Sequence, residues 1–458
     1  MNTQKRTSGI ESFTYGLYFM GQNIFYFLLL TYLLTYFTDI GIPVAAVTVI
    51  TLVVKVADAI IDAIFGGVVD KVKWKSGGKF LPWLRISLLA IPITTILLFA
   101  IPSGIPVGVK IAMASIMYML WNTSYTICDV PIFGLVTTMT DSQNERTSLI
   151  SLGRIFAMIA TLAVYVVIPL VREAIGGWLP CAIILSVAAL IFMAPICFTA
   201  KERIRPDKDA EDITVKQMVS FVKKNRYLLL FYAAFTISGS LNVAQMLHMY
   251  VARFNLGDEG LMAPLALLTA IPAIAAGALM PVITKKIDKY YIFFWATVAT
   301  VILSVIAYFV GYDNIILLYT FSAIKGIPVG FMTVSMFMFT PDCAEYGHYK
   351  TGISAPGISF ALQTFASKIN SAISTAAAAA CLGIIGFVVG EGAMQHAGFS
   401  EQLWAVYLLI PAVGALLSIP FLYKYKLRDK YVQIMTEANV GNISREEAEE
   451  LLADSKIK

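Results

Sequence analysis

Twelve apolar runs, each long enough to cross a bilayer, dominate this chain. They fall near 13–37, 44–69, 81–101, 108–139, 149–171, 178–199, 227–252, 261–284, 290–311, 315–340, 357–389 and 402–423. A hydrocarbon core about 30 Å thick requires roughly 20 apolar residues per helical span. Within it every backbone polar group must find its partner inside the segment, so runs of this kind form helices. The composition leaves no soluble alternative: 58% of the 458 residues are hydrophobic and 14% charged, where an average soluble chain has about 25% charged. The expected fold class is therefore all-α integral membrane, with twelve transmembrane helices.

The longest polar interval, 201–226, separates six runs from six and holds Lys201, Arg203, Arg205, Lys208, Lys216, Lys223, Lys224 and Arg226. This predicts an N-terminal six-helix bundle over 1–200, a cytoplasmic linker over 201–226, a C-terminal six-helix bundle over 227–424 and a cytoplasmic tail over 425–458. Two six-helix halves joined by a basic linker are the outline of a major facilitator fold. Lys and Arg set the orientation. Of the 34 such residues, Lys110, Arg172 and Arg253 fall in connections on one side, and Lys55, Arg85, Arg154, Lys325 and Lys368 fall within or at the edges of spans. All the others lie on the opposite side, which is thereby cytoplasmic together with both termini. The expected location is the cell membrane, multi-pass. Lys5 and Arg6 precede an apolar stretch too long for a signal-peptide core, so that stretch reads as a retained first span.

The same distribution accounts for the net charge of +5 without a nucleic-acid partner. Cys128, Cys181, Cys197, Cys343 and Cys381 form no CxxC or Cys/His pattern, and no nucleophile–base or metal constellation is present, so neither an enzyme nor a cofactor is expected. In the tail, Ser444 and Glu447 have capping-box spacing ahead of a short amphipathic helix.

A charge at mid-bilayer costs roughly 2.5–3.5 kcal/mol on insertion scales and survives where it faces water or a partner. Asp58, Asp62 and Asp129 are the acids well inside the expected spans, and Lys55, Arg154, Lys325 and Lys368 the bases at comparable depth. Lys55, Asp58 and Asp62 follow one another at i, i+3, i+7 on one helical face. Two carboxylates a turn apart repel when both are ionised, so one holds a proton unless a cation lies between them. That is a means of coupling to H⁺ or Na⁺; the simpler reading is an ion pair with Lys55. Trp121, Tyr125 and Asp129 stack at i, i+4, i+8 in span 4. An indole face beside a phenol and a carboxylate suits a sugar, whose C–H face stacks while its hydroxyls bond the acid; the simpler reading is packing. Span 11 carries Gln363, Thr364, Ser367, Lys368, Asn370, Ser371 and Ser374, which reads as a helix lining a water path.

In their order along the chain, these segments resemble the glycoside–pentoside–hexuronide cation symporters, the family of the melibiose permease. The resemblance rests on Lys55-x-x-Asp58-Ala-x-x-Asp62 with Gly66, on Gly78-Lys79-Phe80-x-Pro82-Trp83, on Tyr125-Thr126-x-x-Asp129-x-Pro131 and on Arg154. It continues in Asp342-x-x-Glu345-Tyr346-Gly347-x-Tyr349-Lys350-Thr351-Gly352 and in Gln363-Thr364-x-x-x-Lys368. It implies that Asp58, Asp62 and Thr126 bind a cation, with Lys368 beside them, and that Trp121, Tyr125, Asp129 and Arg154 contact a sugar. Asn23 stands where the melibiose branch has an aspartate, Ile61 where it has an amide cation ligand, and Phe133 where it has a tryptophan. Losing an amide oxygen weakens a Na⁺ site more than a proton site. The signature loop lacks the family's arginine after Gly352, and Asp342 or Glu345 with Arg146 could form a substitute gate.

The expected function is symport of a sugar or glycoside with a cation, H⁺ ahead of Na⁺, by a monomer in the lipid bilayer. Lys325, an extra base in span 10, suits an anionic sugar such as a hexuronide. A lysophospholipid or drug transporter of the same fold is the alternative.

Overall fold

A computed structural model describes residues 7–72, 74, 78–140, 142–204, 215–353 and 356–453. Every regular element among them is helical. The first stretch comprises α1 (Gly9–Asp39), α2 (Val44–Lys71), α3 (Leu81–Phe99), α4 (Val107–Met139), α5 (Gln143–Ile175), α6 (Trp178–Met193) and the short α7 (Ile196–Thr199). It is followed by α8 (Val215–Lys224), α9 (Arg226–Ser240), α10 (Ala244–Phe254), a 3₁₀ turn (Glu259–Leu261), α11 (Met262–Ile283), α12 (Lys289–Val310) and α13 (Ile315–Thr351). The chain closes with α14 (Pro356–Ile384), α15 (Phe399–Lys424), α16 (Asp429–Val440) and α17 (Arg445–Leu452).

Local chemistry sets the helix ends. Ser8 and Glu11 cap α1 reciprocally: Ser8 Oγ accepts from the Glu11 N–H at 3.2 Å and Glu11 Oε2 from the Ser8 N–H at 2.8 Å, satisfying two of the orphan donors of a helix start. Asn314 Oδ1 accepts from the N–H groups of Ile316 and Leu317 at the start of α13, and Gly352, at φ +72°, ends it in the left-handed conformation. The capping expected at Ser444 is present, its Oγ accepting from the Glu447 N–H at 3.0 Å at the start of α17.

Ten helical segments among the described residues are long and apolar enough to cross a membrane. The α9–α10 pair counts as one of them, interrupted at 241–243. Two long helices outside this set, α4 and α14, carry polar residues singled out above: Thr126 and Asp129 on α4, Gln363, Ser367, Lys368 and Asn370 on α14. Those side chains lower the mean hydropathy of the helices they occupy. Of the linker expected over 201–226, residues 205–214 lie outside the described residues, as do 454–458 of the tail and Lys73, Lys75 and Asp141 near expected span ends.

The chain forms two compact units. The first holds 1–209, 245–263 and 378–399; the second holds 210–244, 264–377 and 400–458. In the first, α1 is the central helix, packed on α5 and α6, with α3 against α4 and α2 against α4. Its Tyr15, Tyr18, Phe25, Leu28, Tyr32 and Phe37 are fully buried. On α2 the outer face carries Val53, Val56, Ile60 and Ile64, all exposed, while Asp58 on the opposite face is buried; this is the apolar-out arrangement a lipid solvent selects. In the second unit, α13 meets α11 through Gly326 and Gly330. A Cβ on Gly326 would run into the Thr269 backbone and one on Gly330 into the Ala273 backbone. Small residues four apart let two membrane helices approach closely.

Candidate functional site

Two polar clusters in the first unit gather most of the residues marked by the sequence. The first lies between α2 and α4. Thr126 Oγ donates to Asp62 Oδ1 at 2.7 Å, and also lies 3.2 Å from the Asn122 carbonyl one turn earlier on its own helix. Asp58, a turn before Asp62, is 7% exposed and makes no hydrogen bond or ion pair among the described residues. The Lys55 ammonium acts on it at longer range, while sitting 6.0 Å from the ring centre of Tyr118. Lys55 is therefore held by an aromatic face and by Asp58's field, not by a close ion pair. A buried carboxylate with no donor is costly unless a cation or proton joins it.

The second cluster lies between α1 and α4. Gln22 Nε2 donates to Asp129 Oδ1 at 2.6 Å and to the Tyr125 hydroxyl at 3.2 Å. Its Oε1 is buried without a partner, so an acceptor stays open at this point. Tyr125 lies stacked on Trp121, ring centres 5.1 Å apart and planes 15° from parallel, with Tyr26 5.7 Å away. Trp121 is 2% exposed, and its Nε1 donates to Thr95 Oγ at 2.9 Å. The indole stacks on the Tyr125 ring, and Tyr125, half-buried, is the more exposed of the pair. Arg154 is exposed on α5, 5.7 Å from the Phe133 ring centre, and close enough for its charge to act on Asp129.

Asn23 Nδ2 donates to the Phe19 carbonyl at 2.8 Å, back onto its own helix. Gln22, which the sequence reading passed over, is the α1 side chain that reaches Asp129. A signal for it exists in the sequence. Tyr18, Gln22 and Tyr26 follow at i, i+4, i+8, and the three reach Ser87 on α3, Asp129 on α4 and Tyr125 on α4 in turn. Thr95 on α3 was likewise unmarked.

In the second unit, Gln363 is buried with Oε1 unpartnered, Thr364 is exposed and Lys368 half-buried, all on α14. Asn370 anchors that helix to α9 through the Phe235 carbonyl at 3.2 Å. Lys325 on α13 is half-buried and has no carboxylate partner among the described residues. The residues considered for a substitute gate have other partners: Asp342 accepts from Lys289 Nζ at 2.6 Å, and Glu345 accepts from Asn439 Nδ2 on α16 at 2.9 Å. In the first unit, Arg146 donates to the Thr140 and Thr137 carbonyls at 2.8 and 3.2 Å, capping the end of α4.

The family described as MFS/sugar transport protein matches residues 14–429. The uncharacterized symporter YjmB of Bacillus subtilis (strain 168) is 30% identical over 442 residues, 93% of this chain and 94% of that one. The isoprimeverose transporter of Lactiplantibacillus pentosus is 25% identical over 433 residues, 91% of this chain and 88% of that one. Among solved structures, the nucleoside transporter NupG matches with a TM-score of 0.64 at 14% identity, covering 92% of this chain and 100% of that one, which is a likeness of fold. The chain belongs to the MFS/sugar transport protein family, among its glycoside–pentoside–hexuronide cation symporters, and is a multi-pass membrane transporter, not an enzyme.

Proposed function

We propose that the protein imports a sugar or glycoside together with a cation, H⁺ in preference to Na⁺, through twelve spans in two halves, as a monomer in the cell membrane with both ends cytoplasmic. The observation that carries the coupling is the carboxylate pair on α2: Asp62 is held by the Thr126 hydroxyl at 2.7 Å, while Asp58 one turn away is buried without a donor. A proton or cation binding there removes the repulsion between them. Ile61 supplies no oxygen beside the pair, and Na⁺ needs several oxygen ligands where a proton needs one base. Lys368 on α14 is a further candidate for a part in cation coupling.

The sugar stacks on the open Tyr125 ring with Trp121 behind it. Its hydroxyls take up Asp129, Arg154 and the Gln22 Oε1 that has no partner among the described residues, with Phe133 and Asn23 at the edge; Gln363 and Thr364 on α14 are separate candidates for sugar contact. Lys325, a half-buried cation with no carboxylate partner among the described residues, favours an anionic sugar such as a uronide. Cation and sugar binding are reciprocal: each tightens the other.

The test is a sugar-induced pH change in weakly buffered vesicles, with neutral glycosides and uronides screened with and without Na⁺. Alkalinisation on adding one sugar, independent of Na⁺, is the expected result. Na⁺-stimulated uptake without a pH change moves the coupling to sodium. Silence for every sugar overturns the reading and leaves the lysophospholipid or drug alternative.

Gln22→Leu removes the short donor to Asp129. A hydrogen bond to a charged group contributes about 1.5–3 kcal/mol, so the apparent KM for the transported sugar should rise about tenfold or more, with membrane levels unchanged. Initial-rate uptake measures it; a KM equal to wild type removes Gln22 from the site.

A further inference from the structure

The register between α2 and α4 brings a further α4 side chain to the carboxylate pair, one to which the transport reading gives no part. Two pairings fix that register. The Lys55 ammonium lies 6.0 Å from the Tyr118 ring centre, and Thr126 Oγ donates to Asp62 Oδ1 at 2.7 Å. The chain advances from 55 to 62 on α2 while it advances from 118 to 126 on α4, so the two helices run parallel here and Asp58 falls level with 121–122. Of those two residues, Trp121 is engaged elsewhere: its Nε1 donates to Thr95 on α3 at 2.9 Å and its ring stacks on Tyr125. Asn122 is one turn from Tyr118 and one turn from Thr126, on the face those two present to α2. The Tyr118 hydroxyl is within reach of both the Lys55 ammonium and the Asn122 amide.

Asn122 is 2% exposed, and its Nδ2 has no hydrogen-bond partner among the described residues. Asp58, in the same layer, is buried without a donor among the described residues. A buried donor and a buried acceptor, each without a partner, thus share one layer of a two-helix contact. Either is costly while unpaired, and their needs are complementary, since an amide N–H₂ gives what an ionised carboxylate accepts. What an amide nitrogen cannot do is ligate a metal cation: it has donors and no lone pair to offer.

We propose that Asn122 selects the cation at the α2 pair. With its N–H₂ group towards Asp58 it steadies the ionised carboxylate without an added ion, and it sets a partial positive charge where Na⁺ would have to stand. Lys55, one turn before Asp58, adds to that field. A proton is not opposed in the same way, because it ends on the carboxylate itself and needs no ligand from the amide. The inference deepens the transport reading: it rests on the coupling cation lying at Asp58 and Asp62, and it names the α4 residue that chooses between H⁺ and Na⁺. An oxygen in place of the amide nitrogen reverses the choice. With both α2 carboxylates and the Thr126 hydroxyl already present, a carboxylate or hydroxyl at 122 completes an oxygen set for Na⁺.

The experiment follows thermal unfolding of the purified full chain in detergent across a titration of NaCl, with choline chloride holding the ionic strength constant. A cation that binds only the folded protein raises Tm. Wild type should show no rise specific to Na⁺. Asn122→Asp should gain a Na⁺-specific rise of several degrees, and Asn122→Ser, with one hydroxyl oxygen, a lesser one. Adding Asp58→Asn to either variant should remove the gain, which ties it to the pair. If Asn122→Asp does not accumulate as folded protein, Asn122→Ser with and without Asp58→Asn decides. Variants whose Na⁺ response equals that of wild type overturn the role of Asn122, as does a gain that survives Asp58→Asn. A Na⁺-specific rise in wild type overturns the exclusion of Na⁺. No sugar enters the measurement, so a silent pH assay beside the expected Na⁺ responses sinks the sugar assignment alone, and the reverse pattern sinks Asn122 alone.

Discussion

Asp62→Asn should abolish accumulation of sugar against a gradient while leaving exchange of labelled for unlabelled sugar across the membrane. The amide is nearly isosteric, and its Oδ1 can still accept the Thr126 hydroxyl that now bonds Asp62 at 2.7 Å, so the contact between α2 and α4 persists. What is lost is the charge. With Asp62 neutral, Asp58 has no like charge one turn away, and cation binding no longer relieves any repulsion. The transporter then behaves as if permanently loaded. Uphill uptake should fall at least tenfold, to the passive level, whereas counterflow in vesicles should stay within a few-fold of wild type. Uphill uptake equal to wild type removes Asp62 from the coupling; loss of counterflow as well means the residue serves folding or sugar binding instead.

Gly330→Ala should cost more stability than a single methyl group suggests. The atoms nearest the added Cβ are the oxygen, carbonyl carbon and Cα of Ala273. All are backbone, so no rotamer change relieves the clash and α11 has to move away from α13. Overpacking of this kind costs about 1–3 kcal/mol, and Gly330→Leu should prevent accumulation of folded protein. Gly108→Ala, where nothing lies within 4 Å of the added atom, is the control. Thermal unfolding of the purified protein in detergent checks both. A Tm for Gly330→Ala equal to that of Gly108→Ala would mean that the close approach of α11 and α13 does not contribute to stability.

The sequence made the helices legible because lipid leaves the backbone little choice, and the apolar runs recur as helices over the described residues. Periodicity alone placed Asp58 beside Asp62 and Trp121 beside Tyr125, since helical neighbours four apart are fixed by geometry. What it could not give was anything requiring a second helix. That Thr95 takes the Trp121 N–H, turning the indole into a support for Tyr125, depends on how α3 rests on α4. That Gln22 reaches Asp129 while Asn23, 100° further around α1, bonds back to the Phe19 carbonyl depends on how α1 rests on α4. The break at 241–243 went unmarked because 227–252 was read as a single apolar run, although Ser238, Gly239, Ser240 and Asn242 within it are turn-type residues. The ion pairs of Asp39 with Arg253 and of Arg172 with Glu391 were invisible because Asp39, Arg172, Arg253, Glu259 and Glu391 are scattered over some 350 positions, and each looks like an ordinary charge at a span end.

The segment after α15, 425–453, is more than an appendage. Lys289 Nζ lies 2.6 Å from both Asp342 on α13 and Asp429 on α16, and Asp288 Oδ2 accepts the Asp429 N–H at 2.8 Å. Tyr425, Leu427, Met435, Ala448 and Leu452 complete the buried cluster that also holds Tyr227, Phe231, Phe339 and Tyr346. A stop codon placed before Leu427 would strip the cover from an aromatic surface and strand a lysine between one acid and water. Expression vectors that trim the chain to the end of α15 would therefore yield a protein with an exposed, adhesive aromatic surface.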